Sequence, residues 1–497
     1  MRPLFGKGLH SGEKYAILIH YKDENQKPLY GGIVPCFPTR CHAMKHKKPK
    51  HPLSPMSVIA LGFLALILCG ALLLSLPAAS RAHSPTPFLD ALFTSVSATC
   101  VTGLVTLDTA THWSAFGQAV ILLLIQIGGL GFMTVSVMLS LILKRAISPR
   151  ERYLVAQSMN VSSFDGIVRF VKLILCGTFL FELLGACLLA IRFVPLFGWG
   201  DGLYKSLFHS ISAFCNAGFD LMGVYSGEFS SLSAFTDDPL VCLTLCALIA
   251  LGGLGFVVWR ELYELVKYKK PLSLYSRLVL ITSFLLTLFG FVFFLLCEWD
   301  NTALYGSGGT GTKVLSSLFQ SVTLRTAGFS TVNPALTGGP SQLVACILMF
   351  IGGSSGGTAG GVKTVTFALV CIALIQSARG RSAYTVGKKR IAEDNIRRAL
   401  ALVGCGLLVV FLSTLLLSLT NTCPMNAALY EVFSAFGTVG ISLGLTPSLN
   451  AFGKILLMVL MYFGRIGLLT LTFAISRRQM QIDSVIAYPA DKSILIG

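Results

Sequence analysis

The chain has 497 residues, of which 54% are hydrophobic and only 12% charged. That is too little charge to cover a soluble protein of this length. The net charge of +17 is divided among short stretches between apolar runs, which argues against one basic face for nucleic acid. The strand alternation of a membrane barrel is also absent.

Residues 1–55 carry ten Lys or Arg against three acids and read as a basic cytoplasmic tail. Cys36, Cys41, His42 and His46 are spaced too irregularly for a zinc site. No cleavable signal is visible, and Met44 and Met56 offer alternative starts. Residues 57–79 are uncharged and long enough to cross a hydrocarbon core of about 30 Å. In lipid the backbone must bond to itself, so the span is helical. A short apolar segment follows at 90–101 and a second long one at 115–144.

The same triplet returns three times. The long first helices are expected at 167–195, 276–298 and 398–420, and the short segments at 203–214, 314–325 and 426–437. The closing helices are expected at 239–267, 340–377 and 450–476. The short segments cannot cross and read as re-entrant pore helices. The fold expected is an all-α membrane protein of four tandem helix–pore loop–helix units, with eight transmembrane helices and four re-entrant helices around one pseudo-fourfold pathway. The units run 56–152, 153–270, 271–390 and 391–497. Basic stretches at 144–152, 260–277, 378–398 and 477–478 belong inside by the positive-inside rule. Both termini are then cytoplasmic, and the protein is a multi-pass one of the plasma (inner) membrane. Most of the 14 cysteines lie in apolar runs and read as small core residues.

Two motifs carry the repeat. The first reads Ser97-Ala98-Thr99-Cys100-Val101-Thr102-Gly103, Ser212-Ala213-Phe214-Cys215-Asn216-Ala217-Gly218, Val322-Thr323-Leu324-Arg325-Thr326-Ala327-Gly328 and Ser434-Ala435-Phe436-Gly437-Thr438-Val439-Gly440. The second reads Gly128-Gly129, Gly252-Gly253, Gly352-Gly353 and Gly464-Arg465, following the first by 25, 34, 24 and 24 residues. A glycine at the end of each short helix permits backbone angles that turn carbonyls toward an axis. Four such strands would ring a monovalent cation with oxygens that replace its hydration shell. No carboxylate stands among Val101-Thr102-Gly103, Asn216-Ala217-Gly218, Thr326-Ala327-Gly328 or Thr438-Val439-Gly440, which disfavours a divalent ion. Asp220, and less strongly Asp108, are expected near an outer mouth.

These four segments, in order, resemble the filter segments of the Ktr/Trk/HKT superfamily of potassium transporters over residues 57–480. The resemblance implies four helix–loop–helix units around one pathway, a homodimer, and potassium as the transported ion, with sodium as a possible coupling ion. Residues 1–55 contain no span, so the chain is closer to the Ktr branch. In the superfamily a serine in place of the first filter glycine accompanies sodium transport, and Gly103 favours potassium.

Residues 352–361 hold six glycines in ten, a composition that does not sustain a helix. The resemblance implies an intramembrane gating loop at 352–363, which includes Gly353, Ser354, Ser355, Gly356, Gly357, Gly360 and Lys363. Lys363 is expected to snorkel toward the cytoplasm. Arg465 is a charge deep in an apolar segment, expensive and therefore functional. By resemblance it faces the pathway as an electrostatic barrier; the structural alternative is a pairing with Glu182. Glu182 itself reads as a buried carboxyl bonded to a neighbouring helix.

No nucleotide-binding motif is present. The resemblance therefore implies a separate cytosolic nucleotide-binding ring protein as partner, docking on 378–398. A sodium- or proton-coupled symporter is the competing mechanism. A serine hydrolase at Ser354-Ser355 would need a histidine base on another span. The eight histidines end at His209, and no enzyme activity is expected.

Overall fold

The computed structural model describes residues 55–131, 134, 137–138, 167–306, 308–381, 383–387 and 389–467. The expected basic tail with Cys36, Cys41, His42 and His46, the stretches 144–152 and 477–478, and the ends of the first and fourth closing helices lie outside the described residues.

Each unit opens with a long apolar helix: α1 (Pro55–Leu74), α4 (Ile167–Phe197), α8 (Leu274–Cys297) and α12 (Glu393–Asn421). All four are long and apolar enough to cross a membrane. Their outer faces carry exposed leucines and phenylalanines such as Leu72, Leu183, Phe284 and Leu419, as expected of surfaces that meet lipid rather than water.

The short helices follow: α2 (Phe88–Cys100), α5 (Trp199–Phe214), α9 (Thr310–Thr323) and α13 (Met425–Gly437). They pack on the first helix of their own unit and are buried despite their many hydroxyls. Those hydroxyls find carbonyls. Ser95, Ser210 and Ser321 donate to Ile67 O, Glu182 O and Thr287 O at 2.7, 2.6 and 2.6 Å. Three residues past each acceptor stands Gly70, Gly185 or Gly290, where a Cβ would collide with the same serine. A serine on one helix thus fits a glycine notch on the other, which brings the backbones close.

The closing elements are α3 (Ala115–Leu130), α6 (Pro239–Gly253) with α7 (Phe256–Tyr268), α10 (Gly339–Phe350) with α11 (Thr364–Ala378), and α14 (Ala451–Ile466). Ser114, Asp238 and Asn450 cap three of them, accepting from backbone N–H groups of the first turn. Four departures from the sequence reading appear. The helix expected over 115–144 stops at Leu130, before Gly131 at φ +84°, and the one expected over 450–476 stops at Ile466, before Gly467 at φ +92°. The helix expected over 239–267 is broken at Leu254-Gly255 by a 98° bend, with Gly255 at φ +88°. Periodicity missed it because the residues on both sides of the break are apolar. The helix expected over 340–377 is interrupted by the glycine-rich stretch itself.

Packing between units is cyclic. α3 lies on α5, α6 on α9, α10 on α13, and α14 on α2. The last helix thereby returns to the first pore helix, and Lys454 Nζ meets Asp90 Oδ1 at 2.6 Å across that seam. The only described sheet is a two-residue hairpin in the 378–398 loop, β1 (Thr385–Val386) against β2 (Lys389–Arg390).

Candidate functional site

Each pore helix ends one to three residues before a left-handed position: Val101, Asn216, Thr326 and Thr438 have φ of 57°, 60°, 72° and 52°. Two residues later Gly103, Gly218, Gly328 and Gly440 have φ of 94°, 71°, 84° and 96°. Left-handed backbone at a non-glycine residue costs about 1–3 kcal/mol. Its repetition at one place in all four units marks a conformation that the surroundings enforce. In units 1, 2 and 4 the amide before the glycine donates to the carbonyl five residues back, at 2.8, 2.7 and 2.8 Å, from Thr102, Ala217 and Val439.

The four glycines meet. A Cβ on Gly103 would lie 2.5 Å from Ala217 O, one on Gly218 2.7 Å from Ala327 O, and one on Gly328 2.5 Å from Val439 O. A Cβ on Gly440 would collide with Thr102 O. Each unit's glycine therefore faces the carbonyl that precedes the next unit's glycine, and the fourth faces the first. Thr102, Ala217, Ala327 and Val439 thus supply one carbonyl each to a closed circuit with no room for a side chain. The C-terminal ends of the four pore helices, with their partial negative charge, run into this circuit. The hydroxyls of Thr102 and Thr438 are buried and lack a hydrogen-bond partner. The Asn216 amide donates to Ala213 O and Ile249 O at 3.0 and 3.2 Å, and its other end lies 3.4 Å from Thr326 Oγ1 of the next unit.

A second level lies at the pore-helix ends. Cβ atoms on Gly128, Gly252 and Gly464 would strike Thr99 O, Phe214 O and Phe436 O of the same units' pore helices. These glycines are required for that backbone contact. In unit 3 the corresponding stretch leaves the helix and forms a loop. Gly352 N–H donates to Val362 O at 2.9 Å and Val362 N–H to Phe350 O at 3.2 Å, closing its neck. Ser354 N–H donates to Gly253 O at 2.9 Å, Thr358 N–H to Gly252 O at 3.3 Å, and Gly361 N–H to Gly464 O at 3.2 Å. Gly360 sits against the Thr438 side chain. Gly353 and Gly357 abut Gly253, Gly252 and Gly255, while Ser355 O accepts from Tyr275 Oη at 3.0 Å.

Arg465 completes this level. Its guanidinium donates to Thr358 O in the loop, to Gly128 O at 2.5 Å and to Gly129 O at 3.0 Å. One side chain of unit 4 thus ties the loop of unit 3 to the second motif of unit 1. Glu182 is not its partner: its carboxylate accepts from Gln126 Nε2 at 3.0 and 3.3 Å and lies near the Cys215 thiol. Lys363, expected to snorkel toward the cytoplasm, folds its Nζ back to donate to Ala359 O at 2.8 Å.

Beyond the circuit, Asp220 is half-buried and accepts from Met222 N–H at 2.9 Å. Asp108 is buried and accepts from Ala110, Thr111 and Phe229 N–H at 2.9, 2.8 and 3.0 Å, so it ties two outer loops together. Two residues went unnoticed in the sequence. Arg325, next to Thr326, donates to Ser283 O at 3.1 Å and reaches the loop's neck at Gly352 O and Thr364 Oγ1, at 3.5 and 3.4 Å. Glu431, buried in α13, accepts from Ser442 and from Thr446 Oγ1 at 2.9 Å, holding the outer return of unit 4. A charge inside an apolar segment was the available signal for both.

A family model described as TrkH, cation transport protein, matches residues 42–484. The chain is 38% identical over 455 residues to the potassium/sodium uptake protein NtpJ of Enterococcus hirae, covering 91% of this chain and 99% of that one. It is 39% identical over 446 residues to the Ktr system potassium uptake protein B of Bacillus subtilis, covering 89% and 97%. Among solved structures, the potassium transporter TrkH of Vibrio parahaemolyticus superposes with a TM-score of 0.66 at 19% identity, over 85% of this chain and 86% of that one.

Proposed function

The chain belongs to the TrkH family of cation transport proteins, and from that premise we propose that it carries out potassium-selective uptake across the plasma membrane through the circuit at Gly103, Gly218, Gly328 and Gly440. The observation that carries this reading is the cyclic contact of each glycine with the next unit's carbonyl. A bare cation loses a hydration energy on the order of tens of kcal/mol in a low-dielectric interior, and only oxygens arriving from every side offset it. The carbonyls of Thr102, Ala217, Ala327 and Val439, with the hydroxyls of Thr102 and Thr438, supply them without fixed negative charge. The four units 56–152, 153–270, 271–390 and 391–497 act as quarters of one filter, and Asp220 draws cations toward its outer side.

The 352–361 loop is the gate. It fills the space at the pore-helix ends, where a permeating ion must pass, and its bonds to three units are mostly single backbone contacts that exchange readily for water. Arg465 holds it and sets a positive barrier to cations. Removing Ser354 to Gly360 raises rubidium uptake and leaves the order of ion preference unchanged; uptake at the parent rate in that deletion would end the gate assignment. Sodium coupling is the second reading, supported by the name of the Enterococcus hirae relative. Potassium uptake that collapses without external sodium would select it, and uptake that follows membrane potential alone would select a channel.

The working assembly is a homodimer, joined on its inner face by a cytosolic nucleotide-binding ring protein. The relatives named as parts of a Ktr system are consistent with such a separate subunit. The hairpin of β1 and β2 with Arg379, Arg381 and Arg390 offers it a basic, exposed contact.

A further inference from the structure

The second closing element continues past the ring as α7. α6 has 15 residues and rises about 22 Å, short of the roughly 30 Å hydrocarbon core. The chain then turns by 98°. α7 therefore runs almost at right angles to α6 before the full core is crossed, the orientation of an interfacial amphipathic helix. Its far end agrees: α8, which is long enough to cross completely, begins at Leu274 only a few residues after Tyr268.

The two halves of α7 differ. Phe256 and Val258 are buried, and Trp259 packs edge-on against Phe181, Phe214 and Phe256. The second half stands clear of the protein. Tyr263, Val266, Lys267, Tyr268, Lys269 and Lys270 are all exposed, Val266 at 83%. Lys267 Nζ lies 5.3 and 5.4 Å from the ring centres of Tyr263 and Tyr268, and Lys270 Nζ 5.8 Å from Tyr268. Glu264 is the acid paired here, 3.4 Å from Lys270 and 3.8 Å from Arg260. Ammonium groups over tyrosine rings beside an exposed valine suit a surface that is negative outside and apolar beneath.

We propose that the second half of α7 binds anionic phospholipid headgroups of the inner leaflet, and that the bound lipid holds the 352–361 loop in its closed position. The route is short. Phe256 N–H donates to Gly356 O at 3.0 Å, and Tyr275 Oη in the first turn of α8 donates to Ser355 O at 3.0 Å. Ser273 N–H donates to Glu261 Oε2 at 2.9 Å, locking the start of α8 to α7. Tilting α7 out of the membrane surface would pull directly on the loop's tip. The lipid site stands independently; the closing effect rests on the reading of that loop as a gate.

The test uses the full chain in vesicles of phosphatidylcholine, with and without phosphatidylglycerol. Retained phosphatidylglycerol is counted by native mass spectrometry and rubidium flux is recorded in parallel. Each lysine near an anionic surface changes partitioning about fivefold, so K267Q/K269Q/K270Q should retain on the order of a hundredfold less phosphatidylglycerol. Parent flux should fall severalfold as phosphatidylglycerol is added, and the triple variant should not respond. Equal retention by parent and triple variant would overturn the lipid site whatever the flux does. The Ser354 to Gly360 deletion should retain phosphatidylglycerol normally yet ignore it in flux; a lipid response surviving in the deletion would overturn the coupling. If the triple variant retains lipid normally and loses only a response to an added cytosolic partner, the patch is a protein-docking site and the proposal is wrong.

Discussion

The circuit of filter glycines and the level just inside it are built from the same four units, yet they treat the repeat oppositely. At the circuit every unit does the same thing: a left-handed residue, then a carbonyl, then a glycine that faces its neighbour. One step inward units 1, 2 and 4 still share a glycine at positive φ, Gly131, Gly255 and Gly467, but unit 2 turns there by 98°, unit 3 becomes a loop and unit 4 adds an arginine. In the function proposed above, equivalence serves to surround an ion on all sides, and divergence serves a segment that moves between unlike neighbours.

The comparison can be broken most severely at the circuit. Gly328→Ala places a Cβ 2.5 Å from Val439 O and forces alanine to φ +84°. The strain of about 1–3 kcal/mol corresponds to about a fivefold to 150-fold loss of rubidium uptake, with normal amounts of protein in the membrane. Uptake near the parent level would mean that the equivalence of the four strands is not functional. At the inner level Arg465→Ala should act in the other direction. It leaves Thr358 O, Gly128 O and Gly129 O without their donor, at about 1–3 kcal/mol for each carbonyl that finds no substitute. Loosened, the loop should pass rubidium several times faster while the thermal unfolding temperature falls. A variant with unchanged flux and unchanged melting would remove Arg465 from both roles. The smallest effect is expected away from both levels. Glu182→Gln keeps an acceptor for Gln126 Nε2, so stability should change by less than about 1 kcal/mol. A large change in ion preference there would extend the functional region beyond the two levels.

Much of this was legible in the sequence because it rests on glycine. A residue without Cβ is required wherever backbones touch, so Gly103, Gly218, Gly328 and Gly440 and the second motif stand out, at near-constant spacing in three of the four units. The glycine run at 352–361 and the charge at Arg465 were visible for equally local reasons. The bend at Leu254-Gly255 was not read, since both flanks are apolar, although Gly131, Gly255 and Gly467 stand three residues after the second motif's first glycine in units 1, 2 and 4 and share a positive φ. Nor was the way each outer return is fastened. Asp108 holds one, Glu431 another, and His209 Nε2 accepts from Leu221 N–H at 3.3 Å in a third. Unlike residues perform one task there, so no repeated letter announces it. The serine and glycine pairs at Ser95 and Gly70, Ser210 and Gly185, and Ser321 and Gly290 were readable but lie on different helices, where spacing alone does not pair them.

The seam between α14 and α2, with Lys454 against Asp90, has a consequence for biosynthesis. Residues separated by 364 positions must meet, so the wall of the pathway stays open on one flank until the ribosome has released nearly all of the last unit. The same long wait leaves the face of α2 that meets α14 uncovered during insertion. Chaperone or insertase contact should therefore concentrate on the first pore helix.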